Sequence, residues 1–377
     1  MTAWVHLIGG VQPDKYTPLE PAPSRQAGIP VTQGVLFSMS VELANTAEEV
    51  SQIAFGFMAS KALFAGLHID IFTLLDRKPG TAAEIAAETG VPENRIMTVL
   101  TALSSIGLID LNDEAYTNAP AASTFLSRES KHEFGDYLRY QIDKQMYPFM
   151  TQLNEVIDGT LDPAAVDSYQ HWMSDPEQAS IYSNAQHAGS LGPGRTLSRI
   201  VDLSDARQLL DVGGGTGAMS IRLLEANPDL VSTIIDFPNV SEIGWRFVSE
   251  AGMTDRIRYI PGNALKTEWP KQQGAILMSY LLSGIPEDEI TRVIEYAFEC
   301  LADDGHLILH DFMVEDDRSG PHLAALWQLQ HMAFTPEARS VTPGWLKDRM
   351  SASGFKDIQE DEVVPGMTRG IHARKKS

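Results

Sequence analysis

The sequence of 377 residues contains only one cysteine, Cys300. A single thiol excludes an intrachain disulfide and a cysteine-based metal cluster. No zinc-like spacing of histidine and cysteine occurs either, so we expect no metal site. No stretch approaches the ~20 consecutive apolar residues that span a membrane. The first residues lack the pattern of a secretory signal. These absences predict a cytoplasmic protein without a membrane partner.

Basic residues are also scarce. Lys plus Arg total 29 against 50 Asp plus Glu, which gives a net charge of −21 with histidine neutral. Such a field repels nucleic acid and anionic membrane surfaces unless a local basic patch overrides it. The one basic cluster, at 374–376, is better explained as a solvated tail. We therefore expect no nucleic-acid partner.

What the sequence does contain is a glycine-rich stretch between two apolar runs. The first run carries Asp211 and is followed by Gly213, Gly215 and Gly217, after which a helical pattern begins. The second run ends in Asp236. A strand, a glycine turn that opens a helix, a second strand and a terminal acid together predict a nucleoside-binding half-fold.

Strand and helix patterns keep alternating after that acid, which predicts an α/β fold with a mostly parallel sheet. Ligand-binding groups of such sheets lie at the carboxyl ends of the strands. The predicted strand ends carry glycine or polar side chains at five places: Gly213 onward, Asp236, Asn263, Ser279-Tyr280 and Asp311. This agreement predicts the position of the site.

The N-terminal part has a different pattern. Residues 1–40 are rich in proline, and residues 41–130 predict helix, turn, helix and a two-stranded wing. The second helix of this winged-helix pattern, 93–100, has one basic residue, and the wing is acidic, so dimerisation is favoured over DNA binding. The helix around 54–67 is apolar nearly all round. It must be buried on several sides, and a second subunit would supply the missing cover, so we expect a homodimer.

Residues 131–200 predict further helices with polar and aromatic side chains. Gln141 and Lys144 recur at helical spacing and Tyr147 follows, while Asn184 and His187 share one predicted helical face. Polar groups among aromatic neighbours on a half-buried face suit a small-molecule pocket. Hydrogen bonds within a protein core explain the same pattern, and the sequence leaves both interpretations open.

The motifs in this order resemble those of the plant-type O-methyltransferases, the family of the caffeate and acetylserotonin methyltransferases. The similarity runs from about 45 to 372, and its motifs are at 210–217, 236–240, 262–265 and 346–355. It implies that the cofactor is S-adenosylmethionine (SAM), with S-adenosylhomocysteine (SAH) as the product. It also implies a Rossmann-like class I methyltransferase domain with a seven-stranded sheet, at 201–377.

The resemblance also implies roles for particular residues. The glycine turn would approach the cofactor, Asp236 beside Phe237 would accept from both ribose hydroxyls, and Asn263 and Ala264 would lie beside adenine. Ser279 and Tyr280 end the next strand. The helix at 323–334 would line the acceptor pocket, which makes three of its residues candidates for substrate binding: Gln328, His331 and Met332.

One departure from the family pattern bears on the chemistry. Where the family has a histidine base, this sequence has Ser283, with Gly284 at the neighbouring acid position. A serine hydroxyl is not a base near neutral pH without an activator. One hypothesis is therefore S-methylation of a thioether acid, such as a methylthio-hydroxy acid, driven by proximity and desolvation. A second is O-, N- or C-methylation with another base. The candidates for that base are Tyr147, His187 and His331. A third is a non-methylating enzyme or binding protein on the same fold.

Overall fold

A computed structural model of the chain describes residues 43–161 and 173–376, apart from the side chain of Phe334. The predicted proline-rich arm, 1–40, lies outside the described residues, as does part of the predicted helical segment 131–200. The described part contains a helical region with a small two-stranded sheet, then a larger α/β region.

The helical region begins with four helices and the predicted wing. Thr81 opens the third helix with a capping box, because its hydroxyl accepts from Glu84 N while the Glu84 carboxylate accepts from Thr81 N. Gly90 ends that helix with φ 68°. The elements are α1 Ala47–His68, α2 Ile71–Arg77, α3 Ala82–Thr89, α4 Glu93–Ser105, β1 Ile109–Asn112 and β2 Ala115–Asn118, the two strands being antiparallel.

Helix α1 is buried only toward its C-terminal end. Phe64 and Leu67 pack into a core with α4, whereas Ile53 and Phe57 are at least half exposed. In the single chain, this part of the apolar helix therefore lacks the cover that we expect a second subunit to supply. By length and composition alone, α1 is also the one helix in the described part of the chain that could cross a membrane.

Among the described residues, five helical elements connect the two regions. One is a π-helix, Tyr137–Met146, in which each turn takes up more residues than in an α-helix, and such helices are frequent at functional sites. Asp175 caps the longest helix by accepting from Glu177 N and Gln178 N. The α-helices are α5 Pro120–Phe125, α6 Tyr147–Met150, α7 Leu153–Asp158 and α8 Pro176–Ile200.

The α/β region contains a seven-stranded sheet in the order β5-β4-β3-β6-β7-β9-β8. The first five strands in this order are parallel to one another, and β9 is antiparallel to both β7 and β8. The elements are β3 Gln208–Val212, α9 Ala218–Ala226, β4 Val231–Asp236, α10 Pro238–Glu250, β5 Ile257–Pro261, β6 Gln273–Ser279, a 3₁₀ turn Leu282–Gly284, α11 Glu287–Cys300, β7 Leu301–Asp311, α12 His322–Phe334, α13 Pro343–Ala352, β8 Phe355–Val364 and β9 Thr368–Lys375.

The sheet is buried on both faces. Along β6, Ala275 and Leu277 pack on one side, while Ile276 and Met278 pack on the other. The strand order reverses direction between β3 and β6, which makes their carboxyl ends the topological switch point where α/β sheets bind ligands. The predicted fold class, a seven-stranded mostly parallel sheet preceded by a winged-helix region, is confirmed.

Candidate active site

A cavity of about 480 Å³ lies at the carboxyl ends of the central strands. This volume is within the range of small-molecule sites. Its wall comes from the glycine turn, the ends of β4, β5 and β6, one face of α8 and the segment 284–286. The predicted residues that line it are Asp211, Gly213, Gly215, Asp236, Phe237, Asn263, Ala264, Ser279 and Tyr280.

The glycine turn is held by a carboxylate from the neighbouring strand. Gly215 has φ 57°, a conformation that favours glycine, and its N–H donates to Asp236 Oδ2 over 2.7 Å. Gly217, predicted to contact the cofactor, does not line the cavity. It precedes α9 with φ 78° and packs beside Ile234 and Tyr259, so its place is structural.

Asp236 could hold a ribose diol. Its Oδ1 accepts from Phe237 N over 2.7 Å, and each carboxylate oxygen keeps a lone pair for another donor. Burial raises the pKa of Asp236 to about 6, against the effect of the Gly215 and Phe237 N–H groups. The carboxylate therefore predominates at neutral pH.

A second carboxylate, Asp211, also lines the cavity. Its Oδ2 accepts from Ser220 Oγ over 2.6 Å, and its buried Oδ1 has no hydrogen-bond partner. Burial raises the pKa of Asp211 to about 7. An unpaired buried oxygen at the cavity wall fits a bound group that donates hydrogen bonds, such as the amino-acid end of SAM.

The other strand ends are ordered by local hydrogen bonds. Asn263 Oδ1 accepts from Leu265 N over 2.9 Å. Ser279 Oγ pairs with His310 Nδ1 at 2.8 Å, and Tyr280 adopts φ 56° while its N–H donates to His310 O. These contacts fix the wall that would face the adenine and methionine parts of SAM.

Ser283, which we expect at the family's base position, is fully buried in a hydrogen-bond network. Its hydroxyl lies 2.5 Å from Asp311 Oδ1, and its N–H donates to Asp311 Oδ2 over 3.0 Å. His331 Nε2 lies 3.0 Å from Ser283 Oγ, whereas His331 Nδ1 is buried without a partner. Gly284, the residue after Ser283, lines the cavity, and so does Thr335, which lies about one helical turn after His331. The network therefore lies directly behind the cavity wall.

The electrostatics of this network follow from its burial. Burial raises the pKa of Asp311 to about 6, although hydrogen bonds from Ser283 and from backbone N–H groups oppose the rise. Burial also lowers the pKa of His331 to about 3, so its imidazole is neutral at physiological pH. A neutral imidazole retains a lone pair that can accept a proton.

The face of α8 that lines the cavity differs from the predicted face. Ser183, Gln186 and Ser190 line the cavity, and these lie one position before the predicted face of Asn184 and His187. Asn184 instead pairs with Arg246 and Ser180. The error arose because both faces carry polar groups at the same spacing.

His187 contacts the glycine turn from outside the cavity. Its Nδ1 lies 2.8 Å from Thr216 Oγ1, and its ring stacks on Phe247 with centroids 3.7 Å apart. Burial lowers the pKa of His187 to about 4, with Arg222 and Arg246 contributing. Since Thr216 lines the cavity, His187 can support the turn, but it is not placed as a base.

Six further predicted residues do not line the cavity. Tyr147 packs edge-on against Phe64, and Lys144 lies over the Tyr140 ring. Gln328 donates to Phe312 O over 2.8 Å. The remaining three of the predicted set are the buried Gln141 and His331 and the half-buried Met332.

Several lining residues were not predicted. They include Met173, Tyr182, Val240, Lys266, Ile285 and Thr335. Lys266 follows the motif 262–265 directly, so extending that motif would have found it. The others come from helix faces and loops whose orientation only packing decides. In the described part of the chain, no group of three or more histidine, cysteine and acidic side chains could hold a metal ion.

The glycine turn, the acid at the end of β4 and the switch point define a Rossmann-like class I methyltransferase that uses SAM. An O-methyltransferase domain model matches residues 163–356, and an O-methyltransferase dimerisation domain model matches residues 51–128. The chain therefore belongs to the plant-type O-methyltransferase family, which includes the acetylserotonin methyltransferases.

The curated relatives act on different atoms. The tetracenomycin polyketide 8-O-methyltransferase of Streptomyces glaucescens is 26% identical over 317 residues, 84% of this chain and 93% of the relative. The L-tyrosine C(3)-methyltransferase of Streptomyces lavendulae is 25% identical over 331 residues, 85% of this chain and 90% of the relative. An acetylserotonin O-methyltransferase of Macaca mulatta is 26% identical over 318 residues, 81% of this chain and 91% of the relative.

Solved structures share the fold. Human N-acetylserotonin methyltransferase in complex with SAM aligns with TM-score 0.79 at 21% identity, covering 90% of this chain and all of that one. PigF with SAH aligns with TM-score 0.77 at 22% identity, over 88% of this chain and all of that one. The prediction of a SAM-dependent enzyme is confirmed, whereas S-methylation of a thioether acid finds no support among these proteins.

Proposed function

We propose that the chain transfers the methyl group of SAM to an oxygen, nitrogen or carbon atom of a small aromatic molecule, with His331 as the base. The observation that carries this proposal is the buried network of Ser283, Asp311 and His331. A buried polar atom without a partner, such as His331 Nδ1, costs about 1–3 kcal/mol. An acceptor that donates a hydrogen to this atom would remove that cost.

The cofactor would be held by the predicted residues that line the cavity. Asp236 accepts from the ribose hydroxyls, and the backbone of Gly213 and Gly215 allows close approach. Asn263 and Ala264 adjoin the adenine. Asp211 Oδ1 faces the amino-acid end. Bound SAM supplies a methyl group on a positively charged sulfur, which makes that methyl electrophilic.

The chain's own contribution is to align the acceptor and remove its proton. As a lone pair of the acceptor bonds to the methyl carbon, the carbon–sulfur bond breaks and its electron pair stays on sulfur. The acceptor's proton passes to His331 Nδ1. His331 Nε2–H then donates to Ser283 Oγ, whose hydroxyl donates to the Asp311 carboxylate, so the cation formed on the imidazole is stabilised through two hydrogen bonds.

The other candidate bases are less suitable. His187 is held between Thr216 and Phe247, and Tyr147 packs against Phe64. Neither contacts the position where the family has its base. His331 does, through Ser283.

The relatives support an aromatic acceptor. Their names describe 8-O-methyl transfer in the synthesis of a polyketide, 3-O-methylation of a hydroxynaphthoate and methylation of L-tyrosine at C(3). The thioether acid remains the alternative, and it rests on the missing histidine at 283 alone. A thioether has no proton to lose, so it would leave His331 without a role.

Methyl-labelled SAM distinguishes these acceptors. The enzyme is incubated with a panel of phenols, aromatic amines and methylthio acids, and the products are analysed for label. We expect label in a phenol or aromatic amine product. Label in a methylthio acid alone would overturn the proposal.

The pH dependence supplies a second readout. With SAM and acceptor saturating, the turnover rate should fall as pH drops through about 6, because Asp311 becomes protonated and no longer stabilises the cation on His331. In Asp311→Asn this decrease should be absent and the rate low throughout. A wild-type rate that stays constant between about pH 5 and pH 8 would contradict the role of this network.

The assembly we propose is a homodimer. The dimerisation domain and the exposed apolar side chains of α1, among them Ile53 and Phe57, support it. The acidic charge of the whole chain supports a cytoplasmic enzyme without nucleic-acid or membrane partners.

A further inference from the structure

The π-helix and α8 form a seam that contains buried polar atoms without partners. These atoms are Gln141 Oε1 and Gln145 Oε1 on the π-helix and Ser183 Oγ on α8. Gln141 and Ser183 are each 2% exposed. The two glutamine oxygens can only accept hydrogen bonds, and the Ser183 hydroxyl can accept or donate one. Buried polar groups of native proteins are otherwise almost always paired, so a cluster of unpaired acceptors indicates a missing donor.

The two helices run antiparallel at this seam. Gln145 Nε2 donates to Gln178 O over 3.2 Å and to Gln178 Oε1 over 2.9 Å. At the other end, the Tyr137 ring adjoins Gly189, where a Cβ would lie 3.8 Å from it. Gln141 is midway between Tyr137 and Gln145, so it lies opposite the part of α8 that contains Ser183.

Ser183 connects the seam to the cavity, because it lines the cavity wall. Gln145 cannot resolve the shortage by rotating its amide, since its Nε2 is already fixed by two acceptors on Gln178. Ser183 Oγ and Gln141 Oε1 form no hydrogen bond with each other. Of the seam residues, Ser183 lines the cavity, and the unpaired Gln141 oxygen lies behind that part of the wall.

We propose that Gln141 and Ser183 form a specificity subsite for a neutral hydrogen-bond donor, a hydroxyl or an amine N–H, on the methyl acceptor. This inference rests on the proposed function, since it describes the acceptor of that same reaction. The carbonyl oxygens of the seam repel a carboxylate. Asp211, which lines the same cavity, adds a negative charge when ionised. The subsite therefore selects polyhydroxylated or amino-substituted aromatics over aromatic acids.

Binding of three matched probes in the presence of SAH tests the subsite. The probes are a dihydroxynaphthalene, the corresponding naphthol without the second hydroxyl, and the hydroxynaphthoate with a carboxylate in its place. Calorimetry on the wild-type chain should give the dihydroxynaphthalene a dissociation constant about tenfold lower than that of the naphthol, and the hydroxynaphthoate the weakest binding.

In Gln141→Leu and in Ser183→Ala, the dissociation constants of the dihydroxynaphthalene and the naphthol should become nearly equal. Their melting temperatures should stay unchanged or rise, because each replacement removes an unpaired buried polar atom. If Gln141 has only a structural role, its replacement would lower the melting temperature and leave the ratio of the two dissociation constants unchanged. Asn184→Ala, at the neighbouring position whose side chain pairs with Arg246, is the matched control and should keep the wild-type ratio.

The proposal is overturned if the carboxylate probe binds as tightly as the diol, if the variants keep the wild-type ratio, or if none of the probes binds. An assay with methyl-labelled SAM distinguishes failure of the subsite from failure of the proposed function. Label transferred to the naphthol and dihydroxynaphthalene at equal efficiency would overturn the subsite and leave the methyltransferase assignment standing.

Discussion

The hydroxyl of Ser283 lies 3.0 Å from His331 Nε2, although 48 positions separate the two residues in the chain. The contact joins the 3₁₀ turn after β6 to helix α12. It places a histidine beside Ser283, from a different element of the fold. This contact is the basis for proposing His331 as the base.

Asp236→Ala should weaken SAM binding about a hundredfold. The change removes a charged partner of the ribose and frees the N–H of Gly215, and hydrogen bonds to charged groups contribute about 1.5–3 kcal/mol each. Calorimetry measures the dissociation constant. Asp229→Ala, at an exposed carboxylate, is the control and should bind SAM as the wild type does. Unchanged affinity in Asp236→Ala would refute the ribose assignment.

The same carboxylate predicts how SAM binding depends on pH. Burial raises the pKa of Asp236 to about 6, so the charged form predominates above that pH. SAM affinity should accordingly decrease as the pH falls through about 6. In the alanine variant this part of the pH dependence should disappear.

Gly214→Ala should disrupt the cofactor turn. A Cβ at this position would lie 2.5 Å from Asp211 Cγ, closer than packed atoms approach. We expect at least tenfold weaker SAM binding and a loss of stability of roughly 1–3 kcal/mol, from calorimetry and thermal unfolding. Gly192→Ala is the matched control, because nothing lies within 4 Å of its Cβ in helix α8. Equal SAM affinity and equal stability in the two variants would contradict this role for Gly214.

His187 and Thr216 should act as a pair. Removing either side of their hydrogen bond should raise the dissociation constant of SAM several-fold, about 0.5–1.5 kcal/mol, without lowering the rate at saturating SAM. A double-mutant cycle of His187→Ala and Thr216→Val should be non-additive. Additive effects would show that the contact does not support the turn, and a large fall in the saturated rate would point to a catalytic role for His187.

The exposed face of α1 should form the dimer interface. Ile53→Asp combined with Phe57→Asp places charge on the apolar face and should raise the dimer dissociation constant at least about tenfold, as measured by analytical ultracentrifugation. Val231→Asp, at an exposed apolar residue of β4, should leave the dimer intact. A wild-type chain that sediments as a monomer at micromolar concentration would rule out this interface.

The sequence predicted the sheet well because local patterns determine it. Strands β3, β4 and β6 are apolar runs that end in turn or polar residues, and their carboxyl ends meet at one edge whatever the details of packing. The residues at those ends, such as Asp236 and Asn263, consequently line the cavity as predicted.

Helix faces were harder to predict. In α8 two adjacent faces carry polar groups at the same spacing, and the sequence does not determine how the helix is rotated against its neighbours. The observed face, Ser183 and Gln186, differs from the predicted face by one position, a rotation of about 100°. The contact between Ser283 and His331 was also beyond local patterns, because it depends on how α12 packs against the sheet.

The most direct test of the account is a single-turnover measurement of methyl transfer by His331→Gln, with SAM and an accepted aromatic acceptor both saturating. Glutamine can still donate to Ser283 but cannot take up a proton. We predict that transfer slows about a hundredfold or more while the dissociation constant of SAM is unchanged. His322→Ala, at an exposed histidine on the same helix, should transfer at the wild-type rate. A wild-type rate in His331→Gln would contradict the assignment of the base.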